Sequence, residues 1–236
     1  MKRAVVTTFV LALVLVAGSA MAKDKPVMAV IEFNNHSGAY WWSGGVGNDL
    51  ADMLTNELAA TDKFKMVERA KLTSVLQEQD LAASGAVSKG TGAKIGKLTG
   101  AKYLVTGSVA SYEENTKGSG GGLSFRGISV GGKKEDAYLA IDLRVINSTT
   151  GEIMFVRSVE ARSGGYGLNV GFYKGGLGGN LGKYDKTPAG KAIRAVLIEA
   201  ADYLTCVMVD KDGCEEEYAA KEKSRRDKTK GAVKLD

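Results

Sequence analysis

Histidine, proline and cysteine are nearly missing from this chain, and each scarcity removes a class of function. Its 236 residues include one His, two Pro and two Cys. A lone imidazole, His36 in the turn cluster Asn34-Asn35-His36-Ser37-Gly38, has no Cys or carboxylate beside it at ligand spacing. That argues against a zinc-type centre and against His-based acid/base catalysis. No phosphate-binding Gly-Lys-Ser or Gly-Lys-Thr occurs, and after Gly90-Thr91-Gly92 the next glycine, Gly96, falls one position late for a dinucleotide fingerprint. The reading is of a non-enzyme that needs no cofactor or metal. The two cysteines, Cys206 and Cys214, lie close together near the C-terminus. An oxidising compartment would allow a disulfide if their Cα atoms come within roughly 4.4 to 6.8 Å; two inert thiols are the alternative.

Long apolar runs are also lacking. The longest, Ala4 to Ala17, follows Lys2 and Arg3 and precedes Ala20-Met21-Ala22. It is shorter than the roughly 20 residues a spanning helix needs. Residues 1–22 therefore read as a secretory signal peptide, with export to the cell envelope. No cysteine adjoins the expected cleavage site, so any membrane attachment is expected from the folded chain. Removal of Lys2 and Arg3 would lower the formal net charge from +5 to +3, too little and too dispersed to suggest a nucleic-acid partner.

What is abundant is glycine: 31 residues, 17 of them between Gly118 and Gly182. Around that region the pattern is α/β. Val27 to Phe33 reads as a buried strand, and Val46, Leu50, Met53, Leu54 and Leu58 mark one face of a helix over 46–60. A strand is expected at Phe64 to Val67, a helix through Leu72, Val75 and Leu76, a short helix at Ala93 to Leu98, and a strand from Tyr103 to Val109. Leu139, Ile141, Leu143 and Val145 alternate with Ala140, Asp142 and Arg144; the turn Asn147 to Gly151 and the run Ile153 to Ala161 complete a hairpin. Thr187 before Pro188 opens a last helix with Ile193, Val196, Leu197, Ala200 and Leu204 on one face. The expected fold is an α/β domain over 23–206, a mixed sheet with flanking helices. Residues 207–236 read as a charged C-terminal tail, solvated and partly helical.

Two windows interrupt this domain, 112–138 and 161–187, each 27 residues long. A transmembrane β-strand takes about 9 to 11 residues, so each window could hold a β-hairpin. In the second, Tyr166, Leu168, Val170 and Phe172 alternate with small or polar residues, and Leu177, Gly179 and Leu181 keep the same period. In the first, Leu123 and Phe125 share one phase and Ile128 and Val130 the other, with the slip at Arg126-Gly127. These eight residues are the candidate lipid-facing positions. Four strands cannot close a barrel, and open edges are not tolerated in lipid, so such hairpins imply an oligomeric ring. Flexible surface loops are the alternative.

Three stretches carry a family resemblance: Val67-Glu68-Arg69 with Leu72 and Val75-Leu76; Ala101-Lys102-Tyr103-Leu104-Val105-Thr106-Gly107-Ser108; and Leu143-Arg144-Val145-Ile146-Asn147 with Thr150-Gly151-Glu152-Ile153. Together, with the two windows in the matching places, they resemble the curli secretion channel family, CsgG, and its holdfast-anchor relatives. The resemblance implies a homo-oligomeric outer-membrane pore, its α/β domains in the periplasm and its hairpins joined into one transmembrane β-barrel, passing an unfolded secreted protein substrate. It also implies a constriction loop after the first strand. Gly38 to Gly45 is the matching stretch, with Tyr40, Trp41 and Trp42 as candidates, although packing is the competing role for the two Trp. The other functional class is a soluble periplasmic module that binds an assembly partner without forming a pore.

Overall fold

The computed structural model describes residues 24–115, 123–125, 128–130, 136–163 and 179–232. The expected signal peptide and the candidate positions Tyr166, Leu168, Val170 and Phe172 lie outside them.

The elements in order are β1 (Val27–Val30), β2 (Asn34–Asn35), α1 (Val46–Ala60), β3 (Lys65–Met66), α2 (Leu72–Ala83), β4 (Tyr103–Asn115), β5 (Leu123–Phe125), β6 (Ile128–Val130), β7 (Asp136–Asn147) and β8 (Ile153–Arg162). A 3-10 turn (Gly179–Tyr184), α3 (Pro188–Thr205), a π turn (Cys206–Asp210) and α4 (Cys214–Ala232) follow. The main sheet runs β3-β1-β4-β7-β8, with β2 also on β4. β1 pairs parallel with β3 and β4, whereas β4/β7 and β7/β8 are antiparallel. The mixed α/β sheet with flanking helices is therefore as expected.

One face of the sheet makes the core. Leu139, Ile141, Leu143 and Val145 of β7, with Val105 and Val109 of β4, are buried together with Leu50, Leu54 and Leu58 of α1 and Ile193, Val196, Leu197 and Leu204 of α3. The intervening Asp142 and Arg144 are exposed, as the period of two requires. At the start of α3 the Thr187 hydroxyl accepts from the Gly190 amide at 3.1 Å, with Pro188 in the first turn. Both residues suit a helix start, where a side-chain oxygen satisfies a free amide and proline loses nothing. Phe33 reaches the same core because β4 carries Gly107 beneath it: a Cβ there would lie 2.8 and 2.9 Å from the ring's Cδ1 and Cζ.

Several local expectations are corrected. Residues 93–98 form turns and coil, not a helix; Gly96 sits at φ +75°, a left-handed conformation that ends helical continuation. Asn34 and Asn35, expected in a turn, pair with Ser108 and Val109 as a short parallel strand. β4 and β7 run deeper into the first window than its expected edges, to the pair Asn115 and Asp136. The C-terminal stretch, expected to be solvated and partly helical, is a largely exposed 19-residue helix from Cys214, with Tyr218 packed against the core. A disulfide joins Cys206 and Cys214, their Cα atoms 6.0 Å apart.

Candidate functional site

Both windows open from one end of the sheet, and the residues gathered there form the candidate site. At the stem of the first, β4 and β7 continue as a ladder through Tyr112/Leu139, Glu113/Tyr138, Glu114/Ala137 and Asn115/Asp136. The second leaves from β8 beside the same ladder. Tyr138 pairs with Arg162, the Ser163 amide donates to the Ala137 carbonyl at 2.9 Å, and the Ala137 amide donates to the Ser163 hydroxyl at 2.8 Å. After residue 178 the chain returns as the 3-10 turn. Asp49 of α1 accepts from the Asn180 amide at 2.8 Å, and the Asn180 side-chain amide donates to the Gly44 carbonyl at 3.1 Å. Gly179 lies at φ +56°, and a Cβ there would come within 2.8 Å of Asp49 Oδ2, so a larger residue would break this grip. Leu181 is fully buried in the domain core. It therefore cannot extend the apolar stripe of a lipid-facing hairpin, and the window's expected period-two run through Gly179 and Leu181 is corrected at these residues.

Between the stems, β5 and β6 pair antiparallel: Leu123 faces Val130, Ser124 faces Ser129 and Phe125 faces Ile128. The four apolar candidates are thus paired with one another, and the two serines with each other. The two phases read in the sequence fall into one register because the strand direction reverses between Phe125 and Ile128.

The loop Gly38 to Gly45 lies at this same end, but its three aromatics differ. Trp41 is 1% exposed and meets Tyr112 edge-on at 5.6 Å, so it packs in the core here, the competing role expected for it. Trp42 is partly buried against the core, 6.0 Å from Trp41. Tyr40 remains 59% exposed, its ring edge-on to Tyr112 at 5.8 Å and to Tyr184 at 5.9 Å. Tyr112 enters from β4 as the first residue of the first window, and Tyr184 from the 3-10 turn near the end of the second. Burial raises the pKa of Tyr40 and Tyr112 above the usual phenol value. Burial, aided by Glu160, pushes Tyr138 up to about 12. These phenols therefore stay uncharged at neutral pH. The arrangement can hold a loop rigidly and present a neutral aromatic hydroxyl.

Tyr112, Tyr184 and Asp49 escaped the sequence reading. Tyr112 stood at a window's boundary, and a pairing of Asp49 with Asn180, 131 residues away, leaves no local signal. His36 is exposed, its backbone amide donating to the Val109 carbonyl at 2.9 Å. Among the described residues no group of three or more His, Cys, Asp or Glu side chains could hold a metal, and no helix is long and apolar enough to cross a membrane.

Residues 12–233 match the family model "Curli production assembly/transport component CsgG". The protein of that name from Escherichia coli K12 is 31% identical over 117 residues, which is 48% of this chain and 42% of that one. The match thus spans less than half the length of that curated relative. A Neisseria meningitidis serogroup B protein named as a candidate lipoprotein is 29% identical over 163 residues, 67% of this chain and 63% of that one. Among solved structures, a hypothetical protein from Chlamydia trachomatis superposes with a TM-score of 0.44 at 12% identity, covering 79% of this chain and 99% of that one.

Proposed function

Because the chain belongs to the family of the curli production assembly/transport component CsgG, we propose that it is a subunit of a curli-type outer-membrane secretion channel. In this reading identical subunits form a ring, and the segments between the stems join into one transmembrane β-barrel. An unfolded protein substrate passes outward by diffusion, without catalysis or a cofactor.

The observation that carries the proposal is the nesting of the β5/β6 pair inside the β4/β7 ladder. The ladder ends at Asn115/Asp136, and the inner pair lies between those residues in sequence with its reversal between Phe125 and Ile128. From Asn115 to Phe125 is eleven residues, and from Ile128 to Asp136 nine, the length that crosses a bilayer as tilted strands, about 9 to 11. In the second window the stretch Arg162 to Phe172 is also eleven residues. Apolar residues at alternate positions suit strands with one face in lipid. Tyr40, held between the two stems, is the residue we assign to the narrowest part of the passage. A neutral hydroxyl there suits a conduit that accepts chains of varied charge.

Replacing both Leu168 and Val170 by Lys tests the reading. Charged residues on a barrel's lipid face cost roughly 2 to 4 kcal/mol each near the bilayer midplane. The variant should leave the membrane fraction while keeping the circular dichroism of the α/β domain. Equal retention of variant and wild type would place these residues outside lipid, and a wild type absent from the membrane fraction would favour a soluble periplasmic module.

A further inference from the structure

Among the described residues β8 is an edge strand, paired only with β7. The helix α4 lies beside it. Tyr218 of α4 sits at Arg157 of β8, and Arg225 sits at Glu160. Seven residues of helix rise about 10.5 Å and three of strand about 10 Å, so helix and strand run side by side. α4 meets β8 through these side chains, with a cavity of about 130 Å³ left between them, lined by Arg157 to Glu160 on the strand and Tyr218, Lys221 and Arg225 on the helix.

Little holds α4 there. Its residues packed on the core are Cys214 and Tyr218. The Tyr218 ring meets Tyr203 edge-on at 5.2 Å, and the Arg157 guanidinium lies 5.3 Å from the centre of each ring, with Nη1 donating to the Tyr218 carbonyl at 2.6 Å. Beyond that, Arg225 reaches Glu160 at 3.7 Å and Lys221 reaches Glu199 at 3.5 Å. These are half-exposed pairs of small individual weight. The ion pairs Lys221/Glu217 and Arg225/Glu222 stay within the helix and do not dock it. Besides the short backbone link through residues 206–213, the Cys206–Cys214 disulfide cross-links the start of α4 to the end of α3 across an eight-residue separation.

We propose that this disulfide is a redox latch: closed, it keeps α4 docked beside β8; opened, it frees the helix from that strand. Cys206 is buried and Cys214 is half-buried, so the reductant reaches Cys214 first. A dithiol's thiolate attacks Cys214 Sγ, the bond to Cys206 breaks, and Cys206 leaves as thiolate and takes up a proton. The dithiol's second sulfur then displaces Cys214 and closes its own disulfide, so two electrons pass from dithiol to protein.

Hydrogen exchange by mass spectrometry on the full chain tests the latch. Adding dithiothreitol should speed exchange about tenfold or more in peptides covering 214–232 and 157–162, the loss of an eight-residue loop constraint being of that order. The double variant Cys206→Ser/Cys214→Ser should behave the same without reductant, while 46–60 and 188–205 stay unchanged. With the disulfide intact, Tyr218→Ala should give a smaller acceleration confined to α4. Unchanged exchange in α4 on reduction would overturn the proposal. So would acceleration shared by all elements, or a Tyr218→Ala variant that frees α4 as fully as reduction does.

Discussion

Replacing Trp41 and Tyr40 one at a time by Ala separates packing from passage, although the two residues are neighbours in sequence. Trp41 is 1% exposed and edges onto Tyr112. Truncating a buried Trp removes its transfer free energy and leaves a cavity, about 3 to 5 kcal/mol together. For a domain of this size 1 kcal/mol corresponds to about 2 to 4 °C, so Trp41→Ala should lower Tm by at least about 6 °C. Tyr40 is 59% exposed, and its two edge contacts are half in water. Its loss should cost under about 1 kcal/mol, aromatic pairs being worth about 0.5 to 1.5 when well buried. Differential scanning calorimetry of the two variants, followed by conductance of the reconstituted protein, reads both quantities. Trp41→Ala should lose stability, and Tyr40→Ala should keep stability but change conductance. Equal Tm losses, or a Trp41→Ala variant as stable as wild type, would refute the assignment of core and passage roles.

Gly107→Ala should destabilise the domain by about 1 to 3 kcal/mol, measured by urea unfolding, because the new methyl meets the buried Phe33 ring. Stability should also fall as pH rises from 10 to 12. Tyr138 titrates near 10.0 when unfolded and is pushed up to about 12 when folded, so between these values the unfolded state ionises and the folded state does not. The loss from this residue is about 1 kcal/mol, discounted for its partial exposure, and Tyr138→Phe should flatten the slope.

How far the fold was legible depended on whether the signal was local. The helix over 46–60 and the strand through Leu139 to Val145 declare themselves because each buries one face, and periodicity is the direct trace of one-sided burial. Thr187-Pro188 marks the start of α3 by chemistry confined to one turn. The failures share the opposite character. Leu181 continued an apparent period-two run, yet the Asp49 contact with Asn180 turns that segment back into the core. Trp41 and Tyr40 are equally aromatic, and only the position of Tyr112 decides which is buried. The tail's sparse apolar content hid the docking of its helix, which rests largely on Tyr218, a single residue that creates no pattern. Asn34 and Asn35 are turn formers by preference, but β4 offers a free edge beside them and pairing prevails.

The measurement that tests the central claim most directly is the conductance of the purified full-length protein in a planar bilayer, alongside its Leu168→Lys/Val170→Lys variant. The account predicts discrete, stable conductance steps from an oligomer for the wild type and none for the variant. A wild-type protein that adds no conductance, or a variant whose steps match the wild type, would contradict a barrel built from these windows.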